Sequence, residues 1–173
     1  MKRVHVVGRK NSGKTLLIEK LVQRLAADGY RVGTIKHTHH HHELDTPGKD
    51  SHRHRQAGAA VVGILSPSMS AVFRPSDARD STNRDRYAEL APLAADCDIV
   101  LVEGDLHAAA PKVEVWRREI SESPLASEDN SILAVISDSD YDVRQPIWHR
   151  SNIAEIAHKL LELADSVVPK SSS

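Results

Sequence analysis

The first third of the chain alternates apolar runs with polar, glycine-bearing segments in the order strand, loop, helix, strand. Residues 4–7, with the sequence Val-His-Val-Val, predict a short buried strand. Residues 14–28 carry apolar side chains at helical spacing, and Gly29 follows where a helix C-cap is expected. Residues 31–36 predict a second strand. This order indicates a βαβ unit, in which the two strands run parallel.

The rest of the chain extends this pattern into a larger sheet. It predicts further strands at residues 59–65, 70–74, 98–104, 112–116 and 132–136, and helices at residues 50–58, 86–95 and 152–164, the first of them capped by Asp50 or Ser51. Segment 59–65 is apolar enough to predict a buried strand, and Pro67-Ser68 after it predicts an antiparallel hairpin with 70–74. The continuous apolar residues 99–102 predict a strand buried on both faces, as in a parallel sheet.

We therefore expect an α/β fold with a mostly parallel sheet flanked by helices and an antiparallel hairpin extension. The 173 residues are 40% hydrophobic and 27% charged, which fits one folded domain. We assign that domain to residues 1–168 and a flexible tail to residues 169–173.

Charge and cysteine content limit the cellular compartments and the classes of partner that the sequence allows. The net charge of -1 gives no sign of a partner that is nucleic acid or a membrane surface. Cys97 is the only cysteine, so an internal disulfide is excluded. The N-terminus has no signal-peptide pattern, and no apolar run is long enough to cross a bilayer. These features predict a cytoplasmic protein.

The loop after the first strand matches the phosphate-binding pattern G-x-x-x-x-G-K-[ST], and it predicts a fold of the P-loop NTPase type. Its candidate nucleotide-binding residues are Gly8, Arg9, Lys10, Asn11, Ser12, Gly13, Lys14 and Thr15. The glycines let backbone N–H groups turn inward, and the start of the following helix adds positive charge. Lys14 is expected to reach the β- and γ-phosphates, and the Thr15 hydroxyl to bind Mg²⁺. The alternative is a glycine turn that only caps a helix.

A second acidic position is expected where another strand ends. Ligands in open α/β sheets gather at the carboxyl ends of the strands, and Glu103 ends the strand at residues 98–104. Glu103 is therefore the candidate metal-side carboxylate, bound directly or through a water, and Asp105 is a weaker neighbour. The alternative is a glutamate that faces solvent.

A carboxylate after the strand at residues 132–136 is a candidate for reading the base. Asp138 can accept hydrogen bonds from both N1–H and the amino group of guanine, whereas adenine offers no such pair of donors. This favours GTP. Ile136 stands where the usual guanine motif has a lysine, and Asp140 competes for the role. A turn-forming aspartate is the alternative.

The loop after the second strand is rich in histidine. Seven of the 11 histidines lie between residues 36 and 55: His37, His39, His40, His41, His42, His52 and His54. One interpretation is anion binding by Lys36, His37, Lys49 and Arg53, with Asp50 assisting Mg²⁺ or orienting water. A second is a Zn²⁺ or Ni²⁺ site, and a third is a solvated polar loop. We favour the first.

Several segments together resemble the molybdopterin-guanine dinucleotide biosynthesis protein B (MobB) family. These are residues 8–15, 32–40, 47–59 and 101–104. The similarity covers nearly the whole chain and is densest in its first third. Two departures stand out: Leu16 replaces a frequent second threonine after the phosphate loop, and His41-His42 replaces residues less rich in histidine.

The resemblance implies a GTP-binding protein with weak Mg²⁺-dependent GTPase activity that acts in molybdenum cofactor maturation. It implies a homodimer and partnership with MobA, the guanylyltransferase that joins GMP to molybdopterin. Molybdopterin or a molybdoenzyme is a further candidate partner. By match to the family motif, the phosphate-loop residues bind nucleotide and Glu103 lies beside the metal, while Asp50 and Arg53 carry over less directly. Lys14, Asp50 and Glu103 are the candidate catalytic residues.

Two other functions remain open from the sequence. A small-molecule kinase would use the same phosphate loop, although no arginine-rich lid is evident. A metal-delivery GTPase would use the histidines, although no cysteine pair accompanies them. The sequence contains no recognisable arginine finger or water-positioning glutamine, so slow hydrolysis that a partner stimulates is expected.

Overall fold

The chain divides into two compact units. The computed structural model describes residues 1–38, 43–75 and 85–166. The first unit comprises Met1–Thr38 and the chain from Tyr87 onward, and the second is the insert between them, His39–Arg86. Folding of residues 1–168 as one domain stays a prediction, and the tail at 169–173 lies outside the described residues.

The first unit carries the elements that surround the phosphate loop. They are β1 (Arg3–Val7), α1 (Lys14–Ala27), β2 (Val32–Lys36), β5 (Ile99–Glu103), β6 (Lys112–Val115), β7 (Ile132–Ser137), β8 (Ile147–His149) and α3 (Ile153–Ser166). The insert contains α2 (Asp50–Gln56), β3 (Val62–Leu65) and β4 (Ser70–Phe73). Short 3-10 helices lie at Arg86–Glu89 and Leu125–Ser127.

Six parallel strands form the sheet of the first unit, in the order β2-β5-β1-β6-β7-β8. β1 lies between β5 and β6, with Val4 opposite Leu101 and Val6 opposite Val113. The helices α1 and α3 pack together on one face over these strands. The segment that leaves the carboxyl end of β1 therefore emerges between the ends of two neighbouring strands, where parallel sheets place their ligands. This confirms the predicted fold class.

The strand β6 is fully buried although half of it is charged. Lys112 is 5% exposed and its Nζ donates to the carbonyl of Ala108 at 2.8 Å. Glu114 is 1% exposed and accepts the backbone N–H groups of Leu125 and Ala126 at 2.8 and 2.9 Å. Burial raises the pKa of Glu114, against the effect of these two hydrogen bonds. The sequence predicted this strand but not the burial of its charged side chains.

The first helix ends in the way that Gly29 predicts. Gly29 adopts φ +89°, its N–H donates to the carbonyl of Ala26, and the N–H of Tyr30 donates to Leu25, both at 3.0 Å. This is the Schellman arrangement, in which a left-handed residue satisfies the last carbonyls of a helix. This C-terminal cap of α1 turns the chain back into β2 and keeps the βαβ unit compact.

In the insert, the antiparallel pairing of β3 with β4 confirms the predicted hairpin. The predicted helix cap is wrong: Lys49 occupies the cap position without a side-chain hydrogen bond, and α2 begins at Asp50. The Ser51 hydroxyl instead donates to Oδ1 of Asp45 at 3.0 Å. The Asp45 carboxylate, which precedes the helix, thus binds the hydroxyl that was expected to cap the helix backbone.

The prediction that segment 59–65 is a buried strand is also wrong. In β3 only Val62 is buried, and Leu65 is 88% exposed. The hairpin is a two-stranded sheet, and the element of the insert that packs against β3 is α2. Two strands with so little covering cannot bury both of their faces. The hairpin therefore presents apolar side chains at its surface.

Three further segments differ from the pattern-based expectations. β8 was not predicted because three residues are too short to show a period. The helix expected at 86–95 is reduced to the 3-10 turn Arg86–Glu89, consistent with Pro92, which cannot donate within a helix. The short turn Leu125–Ser127, between β6 and β7, was also not predicted. Within the described ranges, no helix has the length and apolar character needed to cross a membrane.

Candidate functional site

The loop between β1 and α1 is a tight turn built on three residues with positive φ. These are Gly8 at +139°, Asn11 at +65° and Gly13 at +89°. A Cβ atom at Gly8 would lie 2.4 Å from the carbonyl oxygen of Val115 in β6, so the loop crosses the neighbouring strand without room for a side chain. Only glycine adopts the Gly8 geometry at this approach without strain.

Lys14 closes the loop from inside. Its Nζ donates to the carbonyls of Gly8 at 2.9 Å and Arg9 at 2.7 Å. Burial lowers the pKa of Lys14, while the charge of Glu103 acts in the opposite direction. An ammonium held by two neutral carbonyls is poised to exchange them for an anionic oxygen, which makes a stronger charge-assisted hydrogen bond.

The start of α1 supplies backbone donors beside Lys14. The first hydrogen bond of the helix runs from the N–H of Leu17 to the carbonyl of Gly13 at 3.1 Å, so the preceding amides of the first turn have no helical acceptor. The first turn holds no acidic side chain that would compete for them. The Ser12 hydroxyl is buried and has no hydrogen-bond partner. Unused donors around a glycine turn fit a phosphate group.

Thr15 and Glu103 face each other at the mouth of the loop. The Thr15 hydroxyl lies 3.0 Å from both carboxylate oxygens of Glu103, whose side chain is 18% exposed. Lys36 at the end of β2 places its Nζ 3.9 Å from Oε1 of Glu103. A hydroxyl and a carboxylate are oxygen ligands of the kind that Mg²⁺ prefers, so this pair fits the metal that the sequence predicts. The sequence-based pairing of Thr15 with Glu103 is thus realised in space.

The turn after β5 is held by a partly buried polar cluster. Tyr87 is 7% exposed and donates its hydroxyl to Oδ2 of Asp105 at 2.7 Å, and Nδ1 of His37 lies 2.9 Å from the same hydroxyl. Burial raises the pKa of Asp105, but the Tyr87 hydrogen bond together with His37 and His5 outweighs it and leaves the pKa below its ordinary value. Sequence reasoning gave Asp105 a minor role and overlooked Tyr87.

His5 approaches the same turn from β1. It is completely buried, its Nδ1 lies 3.1 Å from the carbonyl oxygen of Gly104, and its ring stands edge-on to that of Tyr87 at 5.0 Å. Burial lowers the pKa of His5, although the Gly104 hydrogen bond acts in the opposite direction. The neutral ring, with its proton on Nδ1, is therefore favoured. Sequence reasoning missed His5, although a polar residue in the middle of an apolar strand is the signal that could have identified it.

Arg150, after β8, supports the outer side of the loop and was not predicted. Its guanidinium lies 3.3 Å from the carbonyl oxygen of Gly13 and 3.5 Å from that of Ser12. A Cβ at Gly13 would lie 2.3 Å from Nη2. Because β8 was itself unrecognised, the sequence gave no reason to bring this residue to the loop.

The other predicted residues are distributed as follows. Arg9, Lys10 and Asn11 are exposed on the loop. Asp138 is exposed directly after β7. Asp50 and Arg53 lie on α2 of the insert, so their predicted roles at the phosphate loop stay predictions. His39, His40, His41 and His42 lie outside the described residues.

The interpretation of the histidines as a metal site gains no support from the part of the chain that the structure describes. Across residues 1–38, 43–75 and 85–166, no group of three or more His, Cys, Asp or Glu side chains is placed to hold a metal ion.

The parallel sheet and the glycine loop that closes on its lysine define an α/β protein of the P-loop NTPase type. The family model described as MobB, molybdopterin guanine dinucleotide synthesis protein B, matches residues 3–138. This chain belongs to the MobB family, which confirms the resemblance drawn from its motifs.

Curated relatives and solved structures agree with this assignment. The chain is 32% identical over 152 residues to a molybdopterin-guanine dinucleotide biosynthesis adapter protein of Haemophilus influenzae, covering 88% of this chain and 83% of that protein. It is 35% identical over 152 residues to the protein of that name in Escherichia coli, with coverage of 87% and 86%.

Two crystal structures share the fold. A molybdopterin-guanine biosynthesis protein B (mobB) gives a TM-score of 0.70 at 28% identity, covering 94% of this chain and 99% of that one. Bacillus subtilis MobB gives a TM-score of 0.70 at 27% identity, covering 93% and 97%. The similarity therefore extends over nearly the full length of both chains.

Proposed function

We propose that this protein is a GTP-binding adapter in the biosynthesis of molybdopterin guanine dinucleotide. The observation that carries the proposal is the loop at residues 8–15, in which Lys14 and the first amides of α1 surround a turn bounded by Gly8 and Gly13. Membership of the MobB family and the adapter names of its relatives supply the pathway.

The roles of the residues follow from their positions. Lys14 would exchange its loop carbonyls for the β- and γ-phosphates, and the Ser12 hydroxyl and the amides of α1 would donate to the same oxygens. Thr15 and Glu103 would hold Mg²⁺, Glu103 directly or through a water. The ion supplies neutralisation of the phosphate charge when bound. Asp138 would read guanine from the end of β7.

Lys14→Ala tests the proposal. We expect GTP affinity measured by calorimetry to fall at least tenfold, about 1.4 kcal/mol or more, because the loop loses its only interior cation. Lys20→Ala is the matched control, since Lys20 is an exposed lysine on the same helix. Circular dichroism checks that both variants are folded. Equal affinity in the folded Lys14→Ala protein would remove the phosphate-loop assignment.

We further propose that the protein acts in the cytoplasm as a homodimer and works with a MobA-type guanylyltransferase, with molybdopterin or a molybdoenzyme as a further partner. The exposed apolar side chains of the hairpin support association, since such patches mark interaction surfaces. GTP hydrolysis by the isolated chain is slow in this proposal, and the partner completes the site. Fast turnover by the isolated chain would contradict that part.

A further inference from the structure

The short turn at residues 103–105 carries the acid of the proposed metal site, and three contacts tie it to neighbouring strands. The N–H of Gly104 donates to the carbonyl of Val6, and the carbonyl of Glu103 accepts the N–H of His37, both at 3.0 Å. His5 donates to the carbonyl of Gly104. These contacts hold the β5 side of the turn and leave its other side, from Asp105 onward, to other contacts.

The position of Asp105 depends on its side chain. Asp105 adopts φ +63°, a left-handed conformation that is less favourable for residues other than glycine and is tolerated when a short polar side chain is anchored. Its carboxylate accepts from the hydroxyl of Tyr87, which itself accepts from His37, and from the backbone N–H of His107. The ring of Tyr87 packs separately, against Val100 and Val102. The hydroxyl and the ring of Tyr87 therefore have different tasks.

We propose that Tyr87 is a positioning residue whose hydroxyl, by holding Asp105 in the left-handed conformation, aims Glu103 at Thr15 and so sets the Mg²⁺ dependence of nucleotide binding. Glu103 and Asp105 flank Gly104, whose φ of +95° makes the turn adjustable unless both sides are held. The inference takes the role of Glu103 at the metal from the proposed function. Its structural half, that the Tyr87 hydroxyl holds this turn in place, does not depend on that function.

The first experiment compares GTP affinity with excess Mg²⁺ and with a chelator, for the full chain and three variants. In Tyr87→Phe we expect the ratio of the two affinities to fall roughly threefold to tenfold, the range of a typical single hydrogen bond, with the metal-free affinity unchanged. Glu103→Gln removes the proposed metal-side carboxylate and so gives the lowest expected ratio of GTP affinity with Mg²⁺ to GTP affinity with the chelator. Tyr141→Phe is the control, because Tyr141 stacks edge-on with Trp116 at 5.3 Å, away from this turn.

Substitutions at Asp105 separate positioning from general stability. Asp105→Asn keeps an acceptor for Tyr87 and a side chain that tolerates the left-handed region, so it should retain most of the Mg²⁺ effect. Asp105→Ala keeps neither and should resemble Tyr87→Phe. A Tyr87→Phe protein that melts at a lower temperature but keeps the wild-type ratio would overturn the proposal.

The second experiment needs no nucleotide. Amide hydrogen exchange of residues 103–106 should be faster in Tyr87→Phe than in the wild type, and unchanged in Tyr141→Phe. Unchanged exchange would overturn the structural half of the inference. A wild-type protein that binds no GTP would refute the proposed function, and the exchange result would still decide whether Tyr87 holds this turn.

Discussion

At the scale of single residues, the candidate site depends on backbone shapes that only certain side chains permit. Gly8 combines positive φ with a neighbouring carbonyl 2.4 Å from where a Cβ would lie. Gly29 has φ +89° but nothing within 4 Å of the same position. Gly8 is thus required both by its positive φ and by its close approach to the Val115 carbonyl, whereas Gly29 is required by its positive φ alone.

We predict that Gly8→Ala lowers the free energy of unfolding by about 3 kcal/mol, because β6 or the loop must move to relieve the clash. Gly29→Ala should cost only about 1 kcal/mol, the penalty of a left-handed alanine. Urea denaturation measures both. Equal losses in the two variants would mean that the approach to Val115 is not constrained.

Asp138 is the residue proposed to read the base, so its substitution tests nucleotide selectivity. Asn in its place offers a donor where guanine also donates, so Asp138→Asn should weaken GTP binding at least tenfold and favour xanthosine triphosphate. Asp140→Asn is the comparison, because Asp140 is also exposed in the same segment. Competition between the two nucleotides gives the preference. A switch caused by Asp140→Asn alone would transfer the base-reading role to Asp140.

At the scale of elements, β6 shows how a charged residue becomes part of the core. Glu114 is buried because two backbone donors of the turn at residues 125–127 need an acceptor there. A carboxylate whose pKa is raised on folding binds its proton more tightly in the folded state. Its contribution to stability is therefore complete below the ordinary value of 4.5 and is lost as pH rises through the folded-state pKa.

Glu114→Gln removes this titration. We predict that wild-type stability, relative to the variant, declines as the pH rises above 4.5, and that the difference levels off once the carboxyl is ionised in both states. Chemical denaturation at a series of pH values measures the difference between the two proteins. A difference that is flat across the series would contradict the assignment.

Individual elements also show how much of the fold and of the candidate site the sequence predicts. The phosphate loop, the strand before it and the position of Glu103 were predicted because each has a local signature of glycine, period or burial. Arg150 and Tyr87 were not, because their roles arise from contacts between residues far apart in the chain, and β8 was not because it is too short to show a period. The exposure of β3 was mistaken because an apolar run records hydrophobicity and not how many layers cover it.

At the scale of the whole molecule, the hairpin of the insert exposes a group of apolar side chains. Leu65 is 88% and Met69 72% exposed, beside Val72 at 60%. Exposed strands also offer unpaired backbone groups, which favours association with another chain. These features make the hairpin the expected interface of the proposed homodimer.

Leu65→Lys should convert the proposed dimer to a monomer, because a charged side chain would be buried without a partner. Light scattering after size exclusion would then give the 19.1 kDa of one chain instead of twice that mass. Leu93→Lys is the control, since Leu93 is 75% exposed in the first unit. A dimer that survives Leu65→Lys would place the interface elsewhere.

The hydrogen bond between His37 and Tyr87 joins the residues at which the chain leaves and re-enters the first unit. Two chain ends that already meet can be rejoined by a few glycines at small entropic cost. We therefore expect an excised form to keep all six parallel strands, and the same junction to accept a foreign segment in place of the insert.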